Sequence, residues 1–204
     1  MWALVTDNTI TKTLNNPKGL IIDDIQYSRK IFSLWSVSEK EAKGIYEVVF
    51  DNTNKKDETY YNNTNQTFTY DADAGTVTAT YGDATAKAHA DTLFTEDDED
   101  NGLGTEGEVK VEGLKTKKIR TLKSQAASEL ARTDWYIVRK ADASTSVPSA
   151  IINHRAAVRT KCASIETAIT NASNTAAIET LYAYTADGDG VQSRPLGNLP
   201  TLEV

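Results

Sequence analysis

The residues from which this sequence could build chemistry are few. His89 and His154 are its only imidazoles, Cys162 is its only thiol, and carboxylates cluster between Glu96 and Glu108. The spacing Asp97-x-Glu99-x-Asn101-Gly102-x5-Glu108 matches positions one, five, six and twelve of a calcium-binding EF-hand loop, with Glu in place of Asp or Asn at three. Gly104 occupies the usually apolar eighth position, and the run GLGTEGEVKVEG offers no exit helix to clamp an ion. An acidic, Gly-rich segment produces such spacing by chance, so the residues assign no metal and no cofactor, and a calcium-regulated binding module stays an alternative. Neither histidine stands with a serine or cysteine in a nucleophile elbow or dyad. No Gly-x-Gly-x-x-Gly follows a strand and no Gly-x-x-x-x-Gly-Lys-Ser/Thr is present, which removes the dinucleotide and phosphate-loop motifs. Asp23-Asp24 and Asp71-x-Asp73 are carboxylate pairs of the kind that turns favour on conformational grounds. A lone thiol forms no internal disulfide and no common zinc spacing. The expectation is a protein that binds rather than catalyses.

Composition narrows the class of partner. The chain has 204 residues, between one large domain and two small ones, with 39% hydrophobic residues and a net charge of −7. That field repels phosphate backbones and anionic lipid, so neither nucleic acid nor membrane is expected as a partner. No stretch approaches the length of a membrane span, and MWALVTDNTI lacks the basic and apolar regions of a secretory leader, so a soluble protein not secreted by that route is expected.

The elements that must position any site change character along the chain. WALVT and TITKTL alternate apolar and polar residues around Asp7-Asn8, a pair that tolerates the positive φ of a tight hairpin. After the punctuation Asn15-Asn16-Pro17-Lys18-Gly19, Leu20–Ile22 and Ile25–Tyr27 flank the short turn Asp23-Asp24. Ser36 with Glu39 forms a capping-box pattern, and Gly44 is a left-handed stop, predicting a short helix from about Val37 to Lys43 with Trp35 and Phe32 covering a sheet. Residues 51–66 look too polar to bury and read as a mobile surface loop, FTYDADAGTVTATY reads as strand, turn, strand, and Ala84 to Phe94 has helical composition.

The run Glu96-Asp97-Asp98-Glu99-Asp100-Asn101-Gly102 reads as solvated linker and places the domain boundary at 95–113. Ile119, Leu122, Ala126 and Leu130 then recur at helical spacing over Thr116 to Arg132, closed or followed by Thr133-Asp134-Trp135. The basic run Lys115–Lys123 interleaves that stripe and reads as a solvated face. ASTSVPS breaks the pattern, with Ser146 as a candidate cap, and a second helix begins near Ser149. Its stripe of Ile151, Val158, Cys162, Ile165 and Ile169 matches the first helix for an αα-hairpin, with Cys162 as a buried small hydrophobe. A third short helix is expected around Thr175 to Tyr184. The expected fold is α+β: a small antiparallel β module with a short helix over 1–94, a linker over 95–113, a C-terminal α-helical hairpin module over 114–186, and a turn-rich tail over 187–204.

Two resemblances bear on function. The pattern Arg120…Leu130-x2-Thr133-Asp134-Trp135…Pro148…His154-Arg155-x2-Val158-Arg159 resembles the helical domain of bacteriophage tail assembly chaperones, with His154 where that family often has Tyr and Val158 where it has Leu. The pattern Ile31-Phe32-Ser33-Leu34-Trp35-Ser36-x2-Glu39-x4-Gly44-Ile45-Tyr46 is similar to the β-rich N-terminal module of phage tail-fibre-associated proteins. The resemblance implies non-catalytic binding to a tail-fibre or baseplate protein. It implies a place in the virion tail, with passage through the host cytoplasm during assembly, as a retained structural subunit whose oligomeric state follows tail symmetry. A transient assembly chaperone is the alternative. Trp135, Arg155 and Arg159 are the expected partner-binding residues, being types enriched at interface hot spots. Trp35, Gly44, Asp134 and Cys162 are the expected structural ones. Trp135 is also read as folding back on its helix, so that truncating it would chiefly damage the core.

Overall fold

The computed structural model describes residues 1–16, 18–64 and 66–202. Pro17, Asn65 and the last two residues of the expected tail lie outside the described residues. The fold is α+β, and the chain divides into two compact units, Met1–Thr85 and Ala86–Val204. The division precedes the acidic run instead of falling within it.

The N-terminal unit is built from β1 (Trp2–Thr6), β2 (Thr9–Leu14), β3 (Leu20–Ile22), β4 (Ile25–Tyr27), α1 (Ile31–Leu34), α2 (Val37–Glu41), β5 (Ile45–Asp51), β6 (Tyr61–Asn62), β7 (Thr67–Asp71) and β8 (Thr76–Thr80). Both expected aspartate turns form. Asp7 and Asn8 have φ of 49° and 60°, and Asp23 and Asp24 have 51° and 62°, the left-handed pairs that suit the twist of two-residue hairpins. The main sheet has the order β2-β1-β5-β8-β7, and β5 runs parallel to β8. The expectation of a purely antiparallel module therefore gives way to one parallel pair. A parallel partner requires the chain to return before re-entering the sheet, and β7 makes that return: it starts level with the end of β5, runs antiparallel along the outer side of β8, and turns into β8 at Asp71–Thr76.

The segment between β5 and β7 is not the mobile loop its polarity implied. Tyr60 and Tyr61 are buried, the Asn63 side chain exchanges hydrogen bonds with the backbone of Lys56 (2.9 and 2.8 Å), and Asp51 and Asp57 carboxylates accept from backbone N–H groups two residues on. Its polar residues fold the segment on itself, so the two tyrosines can be buried.

Strand alternation sends Ala3 and Val5 to one face with Val48, Val77 and Ala79, and Trp2 and Leu4 to the other. On that second face Leu14, Leu20, Ile31 and Ile45 are covered by Phe32 and Trp35, and Trp35 meets Tyr27 edge-on at 5.2 Å. The capping box forms as expected: Ser36 Oγ accepts from Glu39 N–H, and Glu39 accepts from Ser36 N–H at 2.7 Å. Gly44 is dictated by its surroundings. Its φ is +71°, its carbonyl accepts from Val5 N–H, and a Cβ there would collide with the Val5 carbonyl oxygen.

The strand β9 (Thr85–Ala86) stands where the units join. The C-terminal unit continues with β10 (Thr92–Leu93), α3 (Glu96–Asp100), β11 (Val109–Val111), α4 (Leu114–Ala131), α5 (Asp134–Ala143), α6 (Ser149–Asn171), α7 (Thr175–Tyr182), β12 (Thr185–Ala186) and β13 (Gln192–Ser193). The helix expected over Ala84 to Phe94 is absent because the backbone of this segment is engaged elsewhere in the chain. Ala88 and His89 carbonyls accept from Leu114 and Lys115 N–H, and Asp91 accepts from Gly113 N–H and the Thr116 hydroxyl. The extended segment thus caps the start of α4, which has no capping side chain of its own.

The acidic run is also folded. Thr95 and Asp98 make a capping box around α3, Lys110 pairs with Asp98 at 2.7 Å, and Phe94 exchanges backbone hydrogen bonds with Gly107 and Glu108. Carboxylates in the first turn of a helix are favoured by the exposed N–H groups there, which is why a segment read as solvated linker takes helical form.

Leu122 of α4, Ile165 and Ile169 of α6, and Leu196 form one buried cluster, with Ile119, Cys162 and Leu181 packed against it. Lys123 to Glu166 (2.7 Å) and Lys115 Nζ to the Thr170 carbonyl (2.7 Å) link α4 and α6 further along. Cys162 is half-buried and not fully enclosed, and burial there raises its thiol pKa. The Ser146 cap does not form; Pro148 takes that position, and its carbonyl accepts from Ile151 and Ile152 N–H. No helix among the described residues is long and apolar enough to cross a membrane.

Candidate protein-docking face

The sequence has Thr133-Asp134-Trp135 closing or following the first long helix; in the structure Trp135 follows it, in a helix of its own. α4 stops at Ala131, Arg132 and Thr133 turn the chain, and Asp134 starts α5 with its carboxylate in the first turn. Left alone, a helix of this length is marginal in water. Its start is pinned by Arg155 of α6, which is only 8% exposed. Arg155 Nη1 donates to the Leu130 carbonyl (2.8 Å), the Thr133 hydroxyl (2.7 Å) and Asp134 Oδ1 (2.7 Å). One guanidinium thus ties the last turn of α4 to the first turn of α5.

This separates the expected partner-binding residues into two roles. Arg155 is buried and consumed internally, so it positions α5 and is unavailable as a contact. Arg159 is exposed, with Nη1 3.4 Å from the Arg155 carbonyl. Trp135 is 51% exposed, so the expectation of a core-filling indole is corrected. Its ring lies 3.7 Å from that of Tyr136, and the Arg139 guanidinium sits 4.8 Å from its centre. The reason is geometric: starting a new helix at Asp134 turns Trp135 away from the α4–α6 seam on which it was expected to fold. Asp134, expected to be structural, pairs with Arg155.

No residue of α5 is buried, although Ile137 and Val138 accompany Trp135 on it. Ile152 of α6 is also exposed, and a cleft of about 190 Å³ opens between Ile137, Ile152, Arg155 and Arg159. The sequence pattern assigns no separate helix after Thr133-Asp134-Trp135, so the apolar residues of α5 are not among the expected site residues. The available signal was Thr133-Asp134, a helix start followed directly by WYIV.

Near the end of α4, Glu129 gathers three groups. It accepts from Arg132 Nη1 (3.1 Å) and from Leu202 N–H (3.2 Å), and buried His154 places Nε2 3.2 Å from it without hydrogen-bond alignment. Burial pushes the Glu129 carboxyl up, but the Leu202 and Arg132 hydrogen bonds and the neighbouring positive charges outweigh it and leave its pKa lowered. His154 of α6 is thus buried beside a carboxylate of α4.

The EF-hand-like spacing does not produce a loop. Asp97 and Glu99 lie in α3, Glu99 accepts from Glu106 N–H, and Asp98 is held by Lys110. Among the described residues, no group of three or more His, Cys, Asp or Glu side chains is placed to hold a metal ion. No family model, no curated protein and no solved structure matches the chain.

Proposed function

We propose that the chain is a non-enzymatic, protein-binding subunit of a bacteriophage tail that docks a tail-fibre or baseplate protein through the α5–α6 face and is retained in the virion. In this reading α4 and α6 are the arms of a chaperone-like helical hairpin, and α5 is an insertion at its turn. The Asp134-Trp135…Arg155…Arg159 resemblance supports the tail assignment. The observation that supports docking is α5 itself, a helix with Trp, Ile and Val side chains and no buried residue. Covering the exposed half of a tryptophan side chain of about 200 Å² is worth about 2–3 kcal/mol, a sufficient anchor for an interface.

Quantitative mass spectrometry of purified particles and of infected-cell extract tests the proposal. A fixed copy number per particle is the expected result. Absence from particles, with the chain recovered on unassembled fibre protein, would instead make it a transient chaperone. Failure to associate with any tail component in either fraction would sink both versions.

A further inference from the structure

Resting on the docking reading above, the charge around the α5–α6 face narrows the partner's chemistry. Arg139, Lys140 and Arg159 are exposed there, and among the described residues no carboxylate pairs with any of them. The two other arginines nearby are used internally, Arg132 by Glu129 and Arg155 by Asp134. Asp142 is the one remaining carboxylate of α5. Arg139 therefore borders Trp135 on one side of α5, and Arg159 borders Ile137 and Ile152 on the other, an excess of cations in a chain whose net charge is −7. The cleft between Ile137, Ile152, Arg155 and Arg159 has room for one aliphatic side chain, and Arg159 stands at its rim.

We infer that this face receives an acidic amphipathic segment of its partner. An aliphatic side chain of that segment enters the cleft between Ile137 and Ile152, carboxylates beside it meet Arg159 and Lys140, and a further carboxylate reaches across α5 to Arg139 on Trp135. Arginine suits this task because its planar fork matches a carboxylate while its plane stacks on an aromatic ring, as Arg139 does on Trp135. Complementary charge selects the partner and its orientation, and the apolar contacts hold it. A polynucleotide is disfavoured because the net charge of the whole chain opposes a long polyanion, whereas a short acidic segment meets chiefly the local cations.

The test is calorimetric titration of the full chain with two synthetic helical peptides that share leucine positions, one with glutamate and the other with lysine at every polar position. The acidic peptide is expected to bind at least about tenfold more tightly. Added salt should reduce that preference, and Arg139→Glu with Arg159→Glu should abolish it. Both arginines are exposed, so circular dichroism of this variant should match the parent. Equal binding of the two peptides, or a preference that survives the double reversal, overturns the acidic assignment and leaves the docking reading standing. Binding of neither peptide also overturns the inference. Whether docking falls with it is then read from incorporation of the Trp135→Ala chain into particles. A dimer of the chain alone that disappears in Trp135→Ala would give the face to a second copy. A single-stranded oligonucleotide that displaces the acidic peptide would give it to nucleic acid. Either result overturns the inference.

Discussion

The C-terminal unit carries two apolar helical surfaces of similar composition that differ in what covers them. Leu122, Ile165 and Ile169 lie on α4 and α6, and the chain covers them itself with Leu181 of α7 and with Leu196 and Leu199 of the tail. Trp135, Ile137 and Val138 lie on α5, and nothing in the described chain buries them. The first surface runs along helices long enough to pack side by side. The second belongs to a helix held mainly at its first turn, through Arg155 and Asp134. The contrast teaches that apolar content alone does not make a core; a face is buried when another element of the chain lies against it.

The sharpest way to break the comparison is to charge the covered surface. Ile165→Asp puts an unpaired carboxylate into the seam and should cost several kcal/mol, with loss of helical circular dichroism. Thr167→Asp, two residues away and exposed, should change stability by less than about 0.5 kcal/mol. If the two variants melt alike, the seam is not the core of this unit.

Arg155→Ala attacks the joint between the surfaces. It leaves the Leu130 carbonyl, the Thr133 hydroxyl and Asp134 without their shared donor, an expected loss of about 1.5–3 kcal/mol. Hydrogen exchange should then speed up through α5 more than through the middle of α6. Uniform acceleration across the unit would mean that Arg155 supports the whole fold and not α5 in particular.

Trp135→Ala tests the uncovered face, and its signature is a split. Stability should move by no more than about 0.5 kcal/mol, while partner binding loses about 2 kcal/mol or more. A large drop in melting temperature would return Trp135 to the core.

The smallest effect concerns the tail. Glu129 has a lowered pKa in the fold, so its contribution is present at neutral pH, above the ordinary glutamate range, and fades as pH falls through the lowered folded value. Acid should loosen the segment anchored by the Leu202 N–H and increase its protease sensitivity before the α4–α6 seam melts. Glu129→Gln should remove that acid dependence. Persistence of the same acid profile in Glu129→Gln would assign it to another group.

Much of the N-terminal unit could be read from its residues, because its signals are local. Asp7-Asn8, Asp23-Asp24, Ser36 with Glu39, and Gly44 each act within a few positions, and all take the expected backbone forms. The parallel pairing of β5 with β8 was not legible, since it depends on β7 taking the outer edge and leaving the place beside β5 to β8. Tyr60 and Tyr61 were misread for a related reason: their polar neighbours are satisfied by one another, as Asn63 is by Lys56, and not by solvent alone. In the candidate site, Trp135 and Arg159 were picked out by residue type, yet residue type could not reveal that Arg155 is spent on the α4–α5 joint.

By itself the sequence determined the turns, the helix cap at Ser36, the apolar stripes of α4 and α6, and the scarcity of nucleophiles and metal-ligand motifs. These depend on backbone preference and periodicity, which act over a turn or two of chain. Only the tertiary structure decided that the acidic run is held by Lys110, that Ala88 and His89 cap α4, and that Trp135 stays open while Arg155 is buried. Each of those outcomes depends on a hydrogen bond or contact between residues well separated in the chain. Such a contact forms only once other elements have fixed both ends, so no local pattern records it.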